Sequence, residues 1–380
     1  MEVPYFCHDL NEQDLDKVRE VINGPFLTTG EVTTEFERRF AEIYSVKHAI
    51  GTTNWTSAAE LFFRIIGVRE RDEVIVPTMS YVASAHSVSL TGASPVFVDS
   101  DPNTGLLDLN QVEEKINDQT RAIMPVHLYG VMADMEELKK MCDQYGIILF
   151  EDASHAVISS RSGFYPGQLS DAAAFSFYAT KNMTCGEGGV LITNHDDIAL
   201  KFRQGTCCGI TKTAYDRRKE GKSGYIPYDS TFVSGKCNMT NINAALLLGQ
   251  LDRLKENRTR RAKLVEQYRK QLGELPGITL PEIPEGTESS HYLMVILVQL
   301  GLRDAFFEIL KEARIGCAVN FTPIHLLSVY RDKGGKEGQF PIAEDWGERC
   351  VSLPLYPSLT EEQVDFVVDT IREKYVPLIS

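Results

Sequence analysis

From residue 47 onward the chain alternates between short apolar runs and longer stretches with apolar residues every three or four positions. The runs at 49–51, 74–76, 95–98, 122–126 and 147–150 are short and predict buried strands. Between them, the residues over 56–66, 81–90, 109–116 and 135–145 predict amphipathic helices. Upstream, Asn11-Glu12-Gln13-Asp14 opens a helix with Leu15, Val18, Val21 and Ile22 as its apolar stripe, and Gly24-Pro25 stops it. Residues 26–30 read as a loop. A second helix is expected after Thr33 or Thr34, with Phe36, Phe40, Ile43 and Tyr44 inward.

Two further apolar runs, 172–178 and 190–192, flank a glycine-rich turn, and a helix is expected over 196–206. The stretch 209–235 is polar, rich in Gly, Lys and Tyr, lacks a period and reads as a mobile loop. A long helical pattern then covers 240–272, with Leu246, Leu247, Leu251 and Leu254. After Pro276-Gly277 the order changes to a strand over 291–298, a helix over 303–313, a strand over 317–321 and a last helix over 360–375. The pattern predicts an α/β fold. A large domain over residues 1–250 would hold a mostly parallel mixed sheet flanked by helices. A smaller C-terminal α+β domain would span 251–380, with the long helix joining the two. In such sheets ligands bind beyond the carboxyl ends of the strands.

Composition adds boundaries rather than chemistry. A chain of 380 residues suffices for two domains with sizeable cores. Its net charge of −14 argues against a nucleic-acid surface and against an anionic membrane patch, while leaving room for a local basic pocket. No apolar run reaches the roughly 20 residues of a membrane helix, and the N-terminal residues lack the basic and apolar regions of a signal peptide. Eight cysteines at 7, 142, 185, 207, 208, 237, 317 and 350 form no CxxC pair. They read as reduced thiols of a cytoplasmic protein, with no metal site.

The chemistry concentrates after the predicted strands. Residues 172–178 lead into Lys181, and Gly186-Glu187-Gly188-Gly189 follows. A lysine there is either solvated past the strand end or held in a pocket. A pocketed amine loses its proton more easily and can form a Schiff base with an aldehyde. Asp152 follows the run at 147–150. Such an acid caps a helix, binds a metal or a ribose, or faces a ring nitrogen. A carboxylate for a protonated pyridine together with an imine-forming lysine is the pairing that pyridoxal chemistry requires. Thr52-Thr53-Asn54-Trp55-Thr56-Ser57 joins a strand to a helix N-terminus. That arrangement favours an anion such as a phosphate, or is simple N-capping by Thr56. Tyr81 either stacks on an aromatic ring or fills core. Ser176 is a hydroxyl in an apolar strand that either satisfies backbone or reaches a phosphate.

These segments resemble the DegT/DnrJ/StrS family of pyridoxal-phosphate-dependent sugar aminotransferases, over nearly the whole chain. The resemblance rests on Glu-Val-Ile-Val-Pro at 73–77, Ala-Ile-Met-Pro-Val-His-Leu-Tyr-Gly at 122–130, Glu-Asp-Ala-Ser-His at 151–155, and Phe-Ser-Phe at 175–177 with Lys181. Gly-Glu-Gly-Gly at 186–189, Asn-Met-Thr-Asn-Ile-Asn-Ala-Ala at 238–245, Phe-Thr-Pro-Ile-His-Leu at 321–326 and Leu-Pro-Leu-Tyr-Pro at 353–357 extend it. It implies the aspartate-aminotransferase-type fold (fold type I of the pyridoxal enzymes) and pyridoxal 5'-phosphate or its pyridoxamine form as cofactor. By position, Lys181 would form the Schiff base and move the proton, and Asp152 would hold the pyridinium nitrogen. His155, often a glutamine in the family, would face the ring hydroxyl. Tyr81 would stack on the ring. The backbone N–H of Trp55, with Thr56 and Ser176, would hold the phosphate. Tyr178 and His325 fall where substrate is contacted, while Thr28-Thr29 and the stretch 209–235 either close over the sugar or form an ordinary surface loop. The segment 235–238 resembles one that reaches into a neighbouring subunit, with Lys236 or Asn238 toward the partner's phosphate and Cys237 where relatives have tyrosine.

The resemblance also implies partners. They are L-glutamate as amino donor and a nucleotide-linked keto sugar as acceptor, with C-4 of a 4-keto-6-deoxyhexose first and a 3-keto sugar second. It places the enzyme in amino-sugar biosynthesis of the lipopolysaccharide O-antigen kind, as a homodimer. A branch of the family with histidine at the lysine position acts as a dehydratase, and this chain keeps Lys181. Two rivals stand beside this reading: another pyridoxal enzyme such as a lyase or dehydratase, and a non-catalytic regulatory homologue. A nicotinamide dehydrogenase would need GxGxxG after a first strand, which is absent.

Overall fold

The computed structural model describes residues 1–219 and 226–379. The first helices are α1 (Glu12–Asn23) and α2 (Glu31–Tyr44), and the sheet begins with β1 (His48–Thr52). The alternation continues through α3 (Trp55–Ile65), β2 (Glu73–Pro77), α4 (Ala83–Ser89), β3 (Ser94–Val98), α5 (Leu109–Lys115), β4 (Thr120–Ile123), α6 (Met135–Tyr145) and β5 (Ile148–Asp152). A short β6 (Ser160–Arg161) precedes β7 (Ala172–Ser176), β8 (Gly189–Thr193), α7 (Asp196–Gly205), α8 (Ala214–Lys219) and the long α9 (Asn241–Leu272). The rest comprises β9 (Ile278–Thr279), β10 (Thr287–Glu288), β11 (Met294–Val298), α10 (Arg303–Glu312), α11 (Ser328–Arg331), α12 (Pro341–Arg349), β12 (Cys350–Leu353) and α13 (Glu361–Thr370).

Seven strands form the large sheet in the order β1-β8-β7-β5-β4-β2-β3. β7, β5, β4, β2 and β3 pair in parallel, and β8 runs antiparallel to both its neighbours. β1 therefore points the same way as β7. The carboxyl ends of β1, β2, β4, β5 and β7 share one edge. β5 and β7 carry no exposed residue, as expected of strands covered by helices on both faces. One core layer joins Phe36, Phe40 and Tyr44 of α2 to Phe175 and Phe177. The opposite layer joins Phe62 and Phe63 of α3 to Phe150, whose ring stacks on Phe62 at 4.4 Å.

α9 runs 32 residues, roughly 48 Å at 1.5 Å per residue. Leu247, Leu251 and Leu254 pack into the large-sheet core. Leu264, Val265, Tyr268 and Leu272 pack into a second core with α10, α13, β11 and β12. The expected boundary between 250 and 251 thus falls inside one helix. Val3, expected with the large domain, lies in the C-terminal core and bridges Ile315.

Four local expectations change. α2 starts at Glu31, because Gly30 rather than a threonine stands at its N-cap. The strand expected over 317–321 is reduced to one bridge, Ala318 to Ser352, and the sheet β12-β11-β9 takes its edge from Cys350–Leu353 instead. β6 and β10 pair over two residues each, too short to show a period. Within the stretch read as a loop, residues 220–225 lie outside the described residues. The remainder carries α8 and is tied by bridges between Ile210 and Ser230 and between Cys207 and Lys236.

Candidate active site

Asp152 ends β5 at the shared edge and is 5% exposed. Its Oδ1 accepts the Ser154 N–H at 3.0 Å, and its Oδ2 accepts the Ser84 hydroxyl at 3.1 Å. Ser84 in turn meets Ser80 at 2.8 Å, so a chain of hydroxyls runs from the turn after β2 through α4 to the carboxylate. Burial raises the Asp152 pKa above the ordinary 3.8, and the Ser154 hydrogen bonds, the charge of Lys181 and the Ser84 hydroxyl work against that rise. Among the described residues no cation forms an ion pair with this acid, and Lys181 acts on it only through its charge. A protonated ring nitrogen would supply one.

Three residues on, His155 is buried and its Nδ1 accepts the Tyr129 N–H at 3.2 Å. That bond fixes the neutral tautomer with the proton on Nε2. Burial, and then the charge of Lys181, push its pKa well below 6.5, so the ring stays a neutral donor. Lys181 follows β7 on a loop whose backbone α9 holds. Gln250 Nε2 donates to Thr184 O at 2.7 Å, and its Oε1 accepts the Thr184 N–H at 2.9 Å. Asn243 Nδ2 donates to Glu187 O at 2.8 Å. The Lys181 ammonium lies 4.5 Å from the centroid of the Tyr292 ring. The fold therefore brings Asp152, His155 and Lys181 to one place, close enough for the lysine charge to act on both other groups.

The N-terminus of α3 faces the start of β8. A Cβ on Gly189 would lie 2.6 Å from the Asn54 carbonyl carbon and 2.8 Å from the Trp55 nitrogen, so only glycine lets the helix end approach. Asn54 caps the Ser57 N–H at 2.8 Å. The N–H groups of Trp55 and Thr56 stand in the first turn, where no helical carbonyl faces them. The Trp55 side chain turns away into the core, donating Nε1–H to Ala174 O at 3.2 Å. Ser176 is buried beside Gly189 and accepts the Tyr178 N–H at 3.3 Å. A helix N-terminus, a buried carboxylate, a neutral imidazole donor and a lysine on one sheet edge fit a phosphorylated pyridine aldehyde.

The other expected residues divide. Tyr81 is 61% exposed at the edge, its ring 6.0 Å from that of Phe321, so it is free to stack rather than being core. Tyr178 is also exposed. Asn238 donates to Thr29 Oγ1 at 2.7 Å, and Thr29 donates to Met239 O at 2.6 Å, so these two stand together. Asn238 also bridges Thr52, beside its own α3 terminus. Lys236 is exposed with Nζ 3.5 Å from Cys207 Sγ, away from the Asp152 cluster's contacts. His325 departs from the expectation of a substrate contact. It is fully buried, held by Thr78 Oγ1 at 2.7 Å and Glu344 Oε1 at 3.0 Å, with neither ring nitrogen open to a ligand. Tyr292, Phe321 and Ser84 were not among the sequence candidates. Only Ser84, a hydroxyl in the short helix that follows β2, carries a local signal.

A model of the DegT/DnrJ/EryC1/StrS aminotransferase family matches residues 8–372. Among curated proteins, the spore coat polysaccharide biosynthesis protein SpsC of Bacillus subtilis is 34% identical over 377 residues, covering 98% of this chain and 96% of SpsC. Among solved structures, the putative sugar aminotransferase Spr1654 of Streptococcus pneumoniae in its PMP form superposes with a TM-score of 0.93 at 29% identity, covering all of both chains. It is also known in a PLP form. DesI, solved in the presence of its TDP-sugar product, superposes with a TM-score of 0.85 at 29% identity, covering 96% of this chain and 90% of DesI. The fold and the edge site define a fold-type I enzyme that uses pyridoxal 5'-phosphate as an aminotransferase. The chain belongs to the DegT/DnrJ/EryC1/StrS aminotransferase family.

Proposed function

We propose that this enzyme moves the amino group of L-glutamate to the ketone carbon of a nucleotide-linked sugar. C-4 of a 4-keto-6-deoxyhexose is the first choice, C-3 the second, in amino-sugar biosynthesis. The observation that carries the chemistry is that Lys181 and His155, three residues after the buried Asp152, meet on one ring, that of Tyr292. The acceptor class is supported by DesI and its TDP-sugar product and by the polysaccharide pathway of SpsC.

When bound, pyridoxal phosphate supplies an aldehyde that takes up the amine and a ring that stores the electrons of a broken C–H bond. Asp152 would hold the ring nitrogen and keep its proton in place. His155 would offer its Nε2–H to the ring hydroxyl. The N–H groups of Trp55 and Thr56, with the Ser176 hydroxyl, would hold the phosphate, and Tyr81 would offer its ring for stacking. Lys181 takes the α-proton from glutamate and, in the second half, delivers a proton to the sugar carbon. Thr29 and Tyr178 line the sugar's side of the cleft. His325 acts from behind, by fixing Thr78 three residues before Tyr81. The enzyme works in the cytoplasm as a homodimer, with Lys236 or Asn238 reaching the phosphate bound by a second copy. Among the described residues no helix is long and apolar enough to cross a membrane.

The purified protein is expected to be yellow and to bleach with glutamate. In a panel of keto nucleotide sugars, 2-oxoglutarate should accumulate only with a sugar that accepts the amine. Bleaching without turnover on any keto sugar would remove the sugar acceptor. Full activity of a monomer at micromolar concentration would remove the shared site.

A further inference from the structure

Residues 289–292, which lie between β10 and β11 in the C-terminal half, grip both neighbours of Lys181. Asn182 Nδ2 donates to Ser290 O at 3.0 Å, and Thr180 Oγ1 lies 3.4 Å from the Tyr292 hydroxyl. Ser290 also fastens the same segment to the site floor: its N–H donates to Ser159 Oγ at 2.9 Å and its hydroxyl to His155 O at 2.5 Å. Tyr292 is 7% exposed, and its ring packs on the His155 ring at a centroid distance of 4.4 Å. The Lys181 ammonium sits over that same tyrosine ring. Among the described residues, Lys181 Nζ makes no hydrogen bond or ion pair. An aromatic face attracts a cation through its quadrupole, and the attraction strengthens where water is excluded.

We propose that Tyr292 is a positioning residue for Lys181, its ring holding the amine whenever the amine is not joined to the cofactor. This rests on the reading of Lys181 as the reacting amine. Reaction requires Lys181 to leave the cofactor when glutamate arrives and then to stand beside the α-carbon as a base. A long, flexible side chain released into open solvent would have to be found again in each turnover. The ring gives it one resting place, next to His155 and Asp152. Because the ring belongs to the C-terminal half, the packing of that half on the sheet edge sets where the lysine waits.

The test compares cofactor-free wild type with Tyr292→Phe and Tyr292→Leu. Each protein is treated briefly with an acetylating reagent at one pH, and modification of Lys181 is quantified by mass spectrometry against other lysines. Loss of the aromatic face should speed acetylation of Lys181 about 2- to 30-fold in Tyr292→Leu. Tyr292→Phe keeps the face and should stay within about twofold of wild type. A rate in Tyr292→Leu equal to wild type would overturn the proposal, as would Tyr292→Phe reacting as fast as Tyr292→Leu. Should the leucine variant fail to fold, Tyr292→Met takes its place under the same criteria. With cofactor, glutamate deuterated at Cα supplies a second readout. The isotope effect on the glutamate half-reaction should grow in Tyr292→Leu, because proton transfer by a misplaced amine is slowed. A lower rate with an unchanged isotope effect would mark Tyr292 as merely structural. The acetylation arm needs no sugar, so its failure is separable from failure of the sugar assignment, and attachment of cofactor to a different lysine would remove Lys181 itself.

Discussion

The two halves of the molecule furnish the cleft with different chemistry. The large sheet contributes polar groups, each fixed by hydrogen bonds to nearby backbone or hydroxyls: Asp152 by Ser154 and Ser84, His155 by Tyr129, and the lysine loop by Gln250. The C-terminal half contributes aromatic faces, Tyr292 over Lys181 and Phe321 beside both Tyr81 and His155. Its polar members, His325 bonded to Thr78 and Ser290 bonded to His155 and Asn182, are spent on holding the halves together. The difference teaches that charge in this site is set by strand ends, whereas placement and dryness come from a wall built far away in sequence. Dryness matters because an interaction between Asp152 and a ring cation is stronger where water is excluded.

The comparison breaks most visibly at Asp152. Asp152→Asn should lower the rate of the glutamate half-reaction by about 10²–10³-fold, the usual size of losing one preorganised electrostatic group. The same change should stabilise the cofactor-free protein. Burial raises the proton affinity of Asp152 in the fold, so the ionised carboxylate opposes folding once pH exceeds the ordinary value of 3.8. The gain should appear in thermal unfolding at pH 7 and vanish near pH 3. A destabilised Asp152→Asn chain at pH 7 would mean that the hydrogen bonds and the Lys181 charge at the acid already outweigh its burial.

Gly189→Ala probes the polar edge sterically. The added Cβ must push the α3 terminus away from β8, at a cost of about 1–3 kcal/mol. Cofactor affinity, followed by absorbance titration, should fall by about tenfold or more with that displacement, while the aromatic wall is left untouched. Unchanged affinity would place the phosphate elsewhere.

A smaller effect is expected where the halves meet. His155 is neutral in the fold because burial and the Lys181 charge depress its pKa, but in the unfolded chain it takes up a proton below about 6.5. Stability from this residue is therefore present above pH 6.5 and is lost as pH falls, by about 1.4 kcal/mol per pH unit. His155→Gln should flatten the fall between pH 6.5 and 5.5 in urea unfolding. His291, held at about 4 chiefly by burial, keeps part of the slope. An identical slope in the variant would mean that His155 is charged in the fold.

The same division decides what could be read from the residues alone. Asp152 and Lys181 follow apolar runs directly, and helix α6 carries a full amphipathic pattern, so each announced itself locally. Tyr292 and His325 did not, because their partners lie 112 and 247 residues away. The resemblance placed His325 toward the substrate, while the fold seals it between Thr78 and Glu344. The strand expected near 317–321 is apolar enough, yet β11 pairs with β9 and β12 on its two edges and leaves that segment only one bridge. Trp55 suited the phosphate turn only through its backbone, since its indole belongs to the core under α3.

The central claim is that one amine, Lys181, reacts with a cofactor whose ring nitrogen faces Asp152. Borohydride reduction of the yellow protein followed by peptide mapping tests it most directly. The cofactor should be found on the peptide containing Lys181 in wild type, and on no peptide in Lys181→Ala. Reduction onto another lysine, or a yellow Lys181→Ala protein that still labels, would contradict it.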